Sequence, residues 1–436
     1  MNVCVIFSVL IGCSGSPILS SRKFLDNLAR DLGANDWVEI LDPPPLTPKF
    51  SNTEQTDLSD VEDDWLDELV APDFFPEPTH PRHPIEVYRE HVRDLKFGRG
   101  GTDVRSLSSC PPRQLLVTEL SSPLEVNSQR FAKGSYTSVY KAYWYGDNGS
   151  TVRLRAVVKV VGADADSTIL ETLYHDMAAL EILQDTGIAP DPLHVAPHQF
   201  AEDSYCLSRL MVSSFVGELT LKNLLKSDRA ASMFRSNLNL MASIAVRGLQ
   251  MLKILHSKGI VHGDIHLENF VFYNDSPIHR TMKLIDYGRS VPFLTLTDSG
   301  DWLHVPEHYH SLVTTNRPFE NPQFVWTPFL LSVYELESKL ANKSHILTRR
   351  DDMHRFAELF IVLMLDGYEE RLVSVGTDIA TLVELKRSQF SFLNPVFRDF
   401  FDKSANMRFD EEPLYDYWIG RFQKLIGPIA DTPFLE

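Results

Sequence analysis

The sequence predicts an α+β fold from three observations. Apolar strand segments at 153–161 (R-L-R-A-V-V-K-V-V) and 208–221 (S-R-L-M-V-S-S-F-V-G-E-L-T-L) enclose a helical segment at 171–183. There Leu173, Met177, Leu180 and Leu183 recur at helical spacing. Two short apolar runs, F-V-F-Y (270–273) and M-K-L-I (282–285), flank the polar turn N-D-S-P and read as a hairpin. A chain of 436 residues with 43% hydrophobic content can also bury a domain of about 300 residues and leave a substantial segment over.

The surplus is N-terminal. Residues 1–17 form an apolar run that ends in small residues, as a secretory signal peptide does; a signal over 1–20 and a secreted or secretory-pathway location are expected. A buried N-terminal strand is the alternative. The run is too short to span a bilayer comfortably, and no other stretch reads as apolar enough to do so. Loss of the signal removes Cys4 and Cys13 and leaves Cys110 and Cys206, which are too few for a disulfide framework.

Residues 21–119 read as an acidic, proline-rich and largely disordered segment. Between Asp36 and Glu77 stand thirteen Asp and Glu against the single Lys49. Within it, V-E-D-D-W-L-D-E-L-V (61–70) reads as a solvated linker or a short acidic helix that displays Trp65, Leu66 and Leu69. The net charge of -17 argues against nucleic acid or an anionic membrane and favours a basic or neutral protein as partner. His304, His308 and His310 do not have zinc-site spacing.

The chemistry is concentrated in H-G-D-I-H-L-E-N (262–269) and D-Y-G (286–288). Phosphoryl transfer needs a carboxylate beside the attacking hydroxyl and oxygen ligands for the metal ions that neutralise the phosphates. Asp264 and Asn269 supply one of each, five positions apart on a short loop, and the 270–285 hairpin returns the chain so that Asp286 arrives beside Asn269.

This arrangement resembles the catalytic and metal-binding loops of the protein-kinase-like fold, H-R-D-x-x-x-x-N followed by D-F-G. The resemblance implies two lobes, a small β-rich one with one main helix and a larger helical one. Lys159 then stands where a lysine holds the α and β phosphates. F-A-K-G-S-Y-T-S-V-Y-K-A (131–142) is similar to a glycine-rich loop in which Gly134 and Val139 match, and Ala132 and Thr137 replace the outer glycines. Asp176 falls at the acidic position that pairs with Lys159, with Glu171 or Glu181 as substitutes if the register slips. Adenine is expected at the backbone of a hinge, Ser214, Phe215 and Val216, in front of the small Ser213.

Two segments narrow the resemblance. T-R-R-D-D-M-H-R-F-A-E-L (348–359) is similar to the R-R-D-D helix of casein kinase I and vaccinia-related kinases, which implies that Asp352 caps the catalytic loop. Arg408, Phe409, Pro413, Tyr415 and Tyr417 match the casein kinase I ending. The resemblance covers 120–425 and leaves 426–436 as a tail. It implies a Ser/Thr protein kinase that uses ATP and Mg2+, with Asp264, Lys159 and His266 in the catalytic set and Asn269 and Asp286 as metal ligands.

The departures keep two other classes open. Gly263 replaces the arginine that pairs with a phosphorylated activation segment, so that switch is not expected. His266 replaces a lysine, and H-G-D-x-H also occurs in small-molecule kinases similar to aminoglycoside phosphotransferases. Ala132, Thr137, Asp176 and His266 together motivate a pseudokinase that binds or regulates without catalysis.

Overall fold

The computed structural model describes residues 82–97, 124–133, 137–144, 154–161, 167–193, 210–225, 231–232, 235–273, 281–297, 299–305, 328–375, 378–388, 390 and 393–426. These fall within one unit, Pro81–Asp431. The expected signal, the acidic 36–77 stretch, Cys110, Cys206, His308 and His310 lie outside the described residues.

Four antiparallel strands, β1 (Leu124–Lys133), β2 (Thr137–Trp144), β3 (Leu154–Val161) and β4 (Leu210–Ser214), build the small lobe in sequence order. Alternation along β3 sends Ala156, Val158 and Val160 into a cluster with Ala142, Trp144 and Val212. Val157 and Lys159 take the other face, against which α2 (Ser167–Leu183) stands. The predicted helix is present and starts four residues earlier than its apolar pattern suggested. The strand expected to run into a hinge near Ser214 forms as β4, and the chain then turns at Gly217 before β5 (Leu219–Thr220).

The expectation of disorder across 21–119 is corrected at one place: Pro84–Phe97 form helix α1, which packs along α2. Proline at its first position suits a helix start, and Ile85, Tyr88 and Val92 recur on one buried face.

In the larger lobe the hairpin forms as β7 (Phe270–Phe272) and β8 (Lys283–Leu284) beside β5, and β6 (Ile260–Val261) pairs with β9 (Val291–Pro292). A further hairpin, β10 (Leu294–Leu296) and β11 (Trp302–His304), follows. The helices are α3 (Leu238–Ser257), α4 (Val333–Leu340), α5 (Arg349–Met364), α6 (Tyr368–Val375), α7 (Ile379–Lys386), α8 (Pro395–Ser404) and α9 (Tyr415–Gln423). Helix α5 is buried on nearly all sides, with Phe356 and Phe360 packed among Phe397, Phe400 and Phe422.

Helix α3 is 20 residues long and apolar enough to cross a membrane by length and composition, which corrects the reading that no such stretch follows the N-terminus. Its apolarity has a local cause: Leu249, Met251, Leu252 and Leu255 are fully buried, and the helix packs against α9. The result is the two-lobed α+β architecture the sequence predicted.

Candidate active site

Strand register assembles the first part of the site. Ala132 pairs with Val139, Val139 with Lys159, and Lys159 with Met211, so these positions form one row across the sheet. Gly134 lies outside the described residues, whereas Thr137 opens β2. From β3, Lys159 Nζ reaches Asp176 Oδ2 on α2 at 2.8 Å and Asp286 Oδ1 at 2.7 Å. Asp176, rather than Glu171 or Glu181, therefore faces the lysine. The shorter Asp suffices because it also accepts the Tyr287 N–H through Oδ1 at 2.9 Å, which draws the start of the D-Y-G segment against α2.

The 262–269 loop is held from below by one carboxylate. Asp352, in the first turn of α5, accepts the backbone N–H of His262 at 2.7 Å and of Gly263 at 2.9 Å. It also accepts His256 Nε2 at 2.9 Å, while His256 Nδ1 meets the Tyr415 hydroxyl on α9. Burial lowers the pKa of His256 despite the adjacent Asp352, so the ring is neutral and its two contacts fix the tautomer.

His262 is a strut. Its Nε2 lies 3.1 Å from the Ile285 carbonyl, and its Nδ1 accepts the Asp264 N–H at 3.2 Å. Burial lowers its pKa, as suits a neutral ring that donates from one nitrogen and accepts at the other.

Gly263 has a structural cause that the sequence did not show. Its φ is +73°, and a Cβ there would lie 2.7 Å from the Arg289 carbonyl oxygen and 2.9 Å from Leu347 Cδ1. The cation missing from position 263 enters from another segment: the Arg289 guanidinium donates to the Gly263 carbonyl at 2.7 Å and pairs with Glu335. Arg289 directly follows D-Y-G, and Glu335 is the last residue of the S-V-Y-E capping box that starts α4. That box was a readable signal for Glu335, whereas no local pattern pointed to the pairing.

Asp264 and His266 form an ion pair, Oδ2 to Nε2 at 3.5 Å. Burial opposes ionisation of Asp264, but His266, Arg289 and His262 together outweigh it and hold the carboxyl well below the usual range. The same pairing raises His266 above its ordinary value against the cost of burial. Asn269 Nδ2 donates to the Asp264 carbonyl at 2.8 Å, which turns the amide oxygen into the remaining ligand atom. The Ile285 N–H donates to the Asn269 carbonyl at 2.9 Å, so the hairpin sets Asn269 and Asp286 side by side.

Asp286 adopts φ +64°, uncommon outside glycine and tolerated best by Asp and Asn. Its side chain is 48% exposed at the cleft. The desolvation there is overcome by Lys159, which holds Asp286 below its ordinary pKa, while burial pushes Asp176 up against the pull of the same lysine. Burial likewise works against the Lys159 ammonium, and the two aspartates outweigh it and keep it protonated.

Among the described residues no group of three or more His, Cys, Asp and Glu is arranged to hold a metal by itself. Magnesium does not require one, because it usually takes one or two protein ligands and completes its shell with phosphate oxygens and water. Asp286 with Asn269 fits that pattern.

The hinge is more restricted than the sequence implied. The Phe215 N–H donates to the Arg155 carbonyl at 3.0 Å, and its own carbonyl accepts the Tyr273 hydroxyl at 2.6 Å. The Ser214 N–H likewise donates to the Asp191 carbonyl at 2.8 Å, so the amides of both Ser214 and Phe215 are engaged within the protein. Ser213 is buried.

Residues 126–295 match the family of protein tyrosine and serine/threonine kinases. With the two-lobed fold and the loops above, this defines a protein-kinase-like domain. The chain is also similar to casein kinase 1-like protein HD16 of Oryza sativa subsp. japonica, at 30% identity over 207 residues. That match covers 45% of this chain and 26% of the rice protein. Together the two matches support a kinase-like fold similar to that of casein kinase 1-like proteins.

Proposed function

We propose that the chain is an ATP-dependent Ser/Thr protein kinase. The observation that carries this reading is the meeting of Lys159, Asp176, Asp264, Asn269 and Asp286 from four separate elements in one cleft. Asp264, ionised at neutral pH, would orient the acceptor hydroxyl and take its proton. Lys159 would hold the nucleotide phosphates once it exchanges its contact with Asp286 for them. A bound Mg2+ would neutralise charge on the β and γ phosphates, with Asp286 and Asn269 as its protein ligands. His266 would stand beside the transferring phosphate as a cation that Asp264 keeps protonated. Each group acts by position and charge, which is most of what this transfer requires of a protein.

The acceptor class rests on the casein kinase I-like C-terminal half. Phe409 lies under the Arg350 guanidinium at 5.1 Å, and Tyr415 reaches the catalytic loop through His256 and Asp352. The net charge of -17 favours a basic or neutral protein acceptor.

The test is transfer of labelled γ-phosphate from Mg-ATP to casein and to basic proteins by the wild type and by Asp264→Asn. The variant should bind Mg-ATP as the wild type does and transfer at least about a hundredfold more slowly, the lower range for loss of a general base. A folded wild type that binds Mg-ATP and labels no protein would instead make the domain a nucleotide-binding module. Labelling of small acceptors alone would favour a metabolite kinase.

A further inference from the structure

Helix α1 lies outside the 120–425 span of the kinase resemblance, yet it touches three segments that must be in register for the site to form. Its buried Tyr88 hydroxyl donates to the Ser290 carbonyl at 2.6 Å and lies 2.5 Å from His175 Nδ1. A hydroxyl has a single proton, so the His175 contact requires Nδ1–H as donor. Burial, reinforced by the Asp176 charge, raises the Tyr88 pKa and keeps the phenol a donor.

His175 and Asp176 are neighbours on α2, and Ser290 lies four residues after Asp286. Two adjacent α2 residues thereby bind the same D-Y-G-R-S segment. Asp176 does so directly, through the Tyr287 N–H, and His175 does so through Tyr88.

Further contacts fasten α1 to the larger lobe. Ile85 is fully buried against Gly259, where a Cβ would come within 2.3 Å of Ile85 Cδ1; Gly259 has φ +81° and precedes the catalytic loop by three residues. Arg89 donates to the Leu294 carbonyl at 3.1 Å, and His83 stacks on Trp302 with ring centroids 4.3 Å apart.

We propose that α1 is an internal strap for the active arrangement and that Tyr88 is a positioning residue, joining α2 to the D-Y-G segment so that Asp176 meets Lys159. This rests on the kinase reading for its effect on catalysis, though not for its effect on structure. Packing alone would be met by phenylalanine. A buried hydroxyl is costly unless bonded, and both partners of this one belong to segments that frame the cleft.

The experiment compares the full-length wild type with Tyr88→Phe, which keeps the ring and removes both bonds, and with His175→Phe, which removes the α2 bond alone. Asp176→Asn and the Tyr88→Phe/Asp176→Asn double variant complete the set. Tyr88→Phe should lower kcat about fivefold, within the range for loss of one or two buried hydrogen bonds, with KM for the protein acceptor unchanged. Hydrogen exchange at 168–183 and 286–290 should rise by a similar factor, and His175→Phe should reproduce the effect. In the Asp176→Asn background, Tyr88→Phe should change kcat less than about twofold, because the pair through which it acts is already gone.

Unchanged exchange in both Tyr88→Phe and His175→Phe would overturn the strap, as would effects of Tyr88→Phe and Asp176→Asn that simply multiply. A wild type that transfers no phosphate defeats the kinase reading alone, and the exchange measurement then decides the strap by itself.

Discussion

Replacing Asp352 by alanine should be among the most damaging single changes in the larger lobe. The carboxylate is 1% exposed and accepts three donors: the His262 and Gly263 amides at 2.7 and 2.9 Å, and His256 Nε2 at 2.9 Å. A hydrogen bond to a charged group contributes about 1.5–3 kcal/mol. The three share one acceptor and are not additive, so the expected loss is nearer the ~3–5 kcal/mol seen when one side of a buried charged network is removed. Against a total stability of roughly 5–15 kcal/mol that is a large fraction. Asp352→Asn keeps one carbonyl oxygen and turns an NH2 toward a remaining donor, so it should cost about half as much as the alanine variant. Urea unfolding should show a lower midpoint at an unchanged slope. An alanine variant destabilised by less than about 1 kcal/mol, or an asparagine variant as unstable as alanine, would refute this account of how the loop is held.

Two pH effects follow from histidines whose pKa the fold shifts. His266 is protonated below a pKa that Asp264 raises above 6.5, so kcat should fall as the pH climbs through that raised value. His266→Lys should carry the fall to markedly higher pH, and an identical alkaline limb in both proteins would remove His266 from the reaction. In α5, His354 is fully buried among Tyr334 and Phe401, and neither ring nitrogen has a hydrogen-bond partner among the described residues. Burial lowers its pKa from 6.5 to about 3. Between those values the unfolded chain binds the extra proton, so the stability present above pH 6.5 is lost as the pH falls toward 3. Linkage gives a loss of roughly 2 kcal/mol between about pH 7.5 and about pH 5. Urea midpoints of wild type and His354→Leu should diverge in that direction, and parallel pH profiles would show that the ring already ionises in the folded state.

The residues proposed to act on phosphate were legible because that chemistry fixes spacing. Asp264 and Asn269 sit five apart on one loop, and Asp286 closes a hairpin whose turn residues are plain in the sequence. Lys159 was legible only through the resemblance, by its position after the glycine-rich-like loop and ahead of the catalytic loop, and Asp176 only by counting along its helix, which is why the register of α2 was settled by geometry and not by pattern. The missed elements failed for other reasons. Helix α1 carries an i, i+3, i+7 apolar face and an N-terminal proline, a readable signal overwhelmed by the acidic, proline-rich composition around it. The Arg289–Glu335 pair joins residues far apart in the chain, and the commitment of the Phe215 backbone depends on where Tyr273 falls in space.

Gly263 shows how misleading a residue-by-residue comparison can be. Read alone, it is a lost arginine and an argument against control by a phosphorylated activation segment. In the fold, its left-handed backbone lets the Arg289 carbonyl approach, and the Arg289 guanidinium supplies a cation to the same loop. The distant C-terminal signature is explained by a similar route: Tyr415 holds His256, His256 donates to Asp352, and Asp352 caps the amides that precede Asp264. Residues that phosphate chemistry does not require are therefore coupled to the proposed base, Asp264. Helix α1 in turn joins α2 to the segment carrying Asp286. Both supports act by fixing backbone position, so damage to either should slow transfer while leaving every proposed catalytic side chain in the sequence.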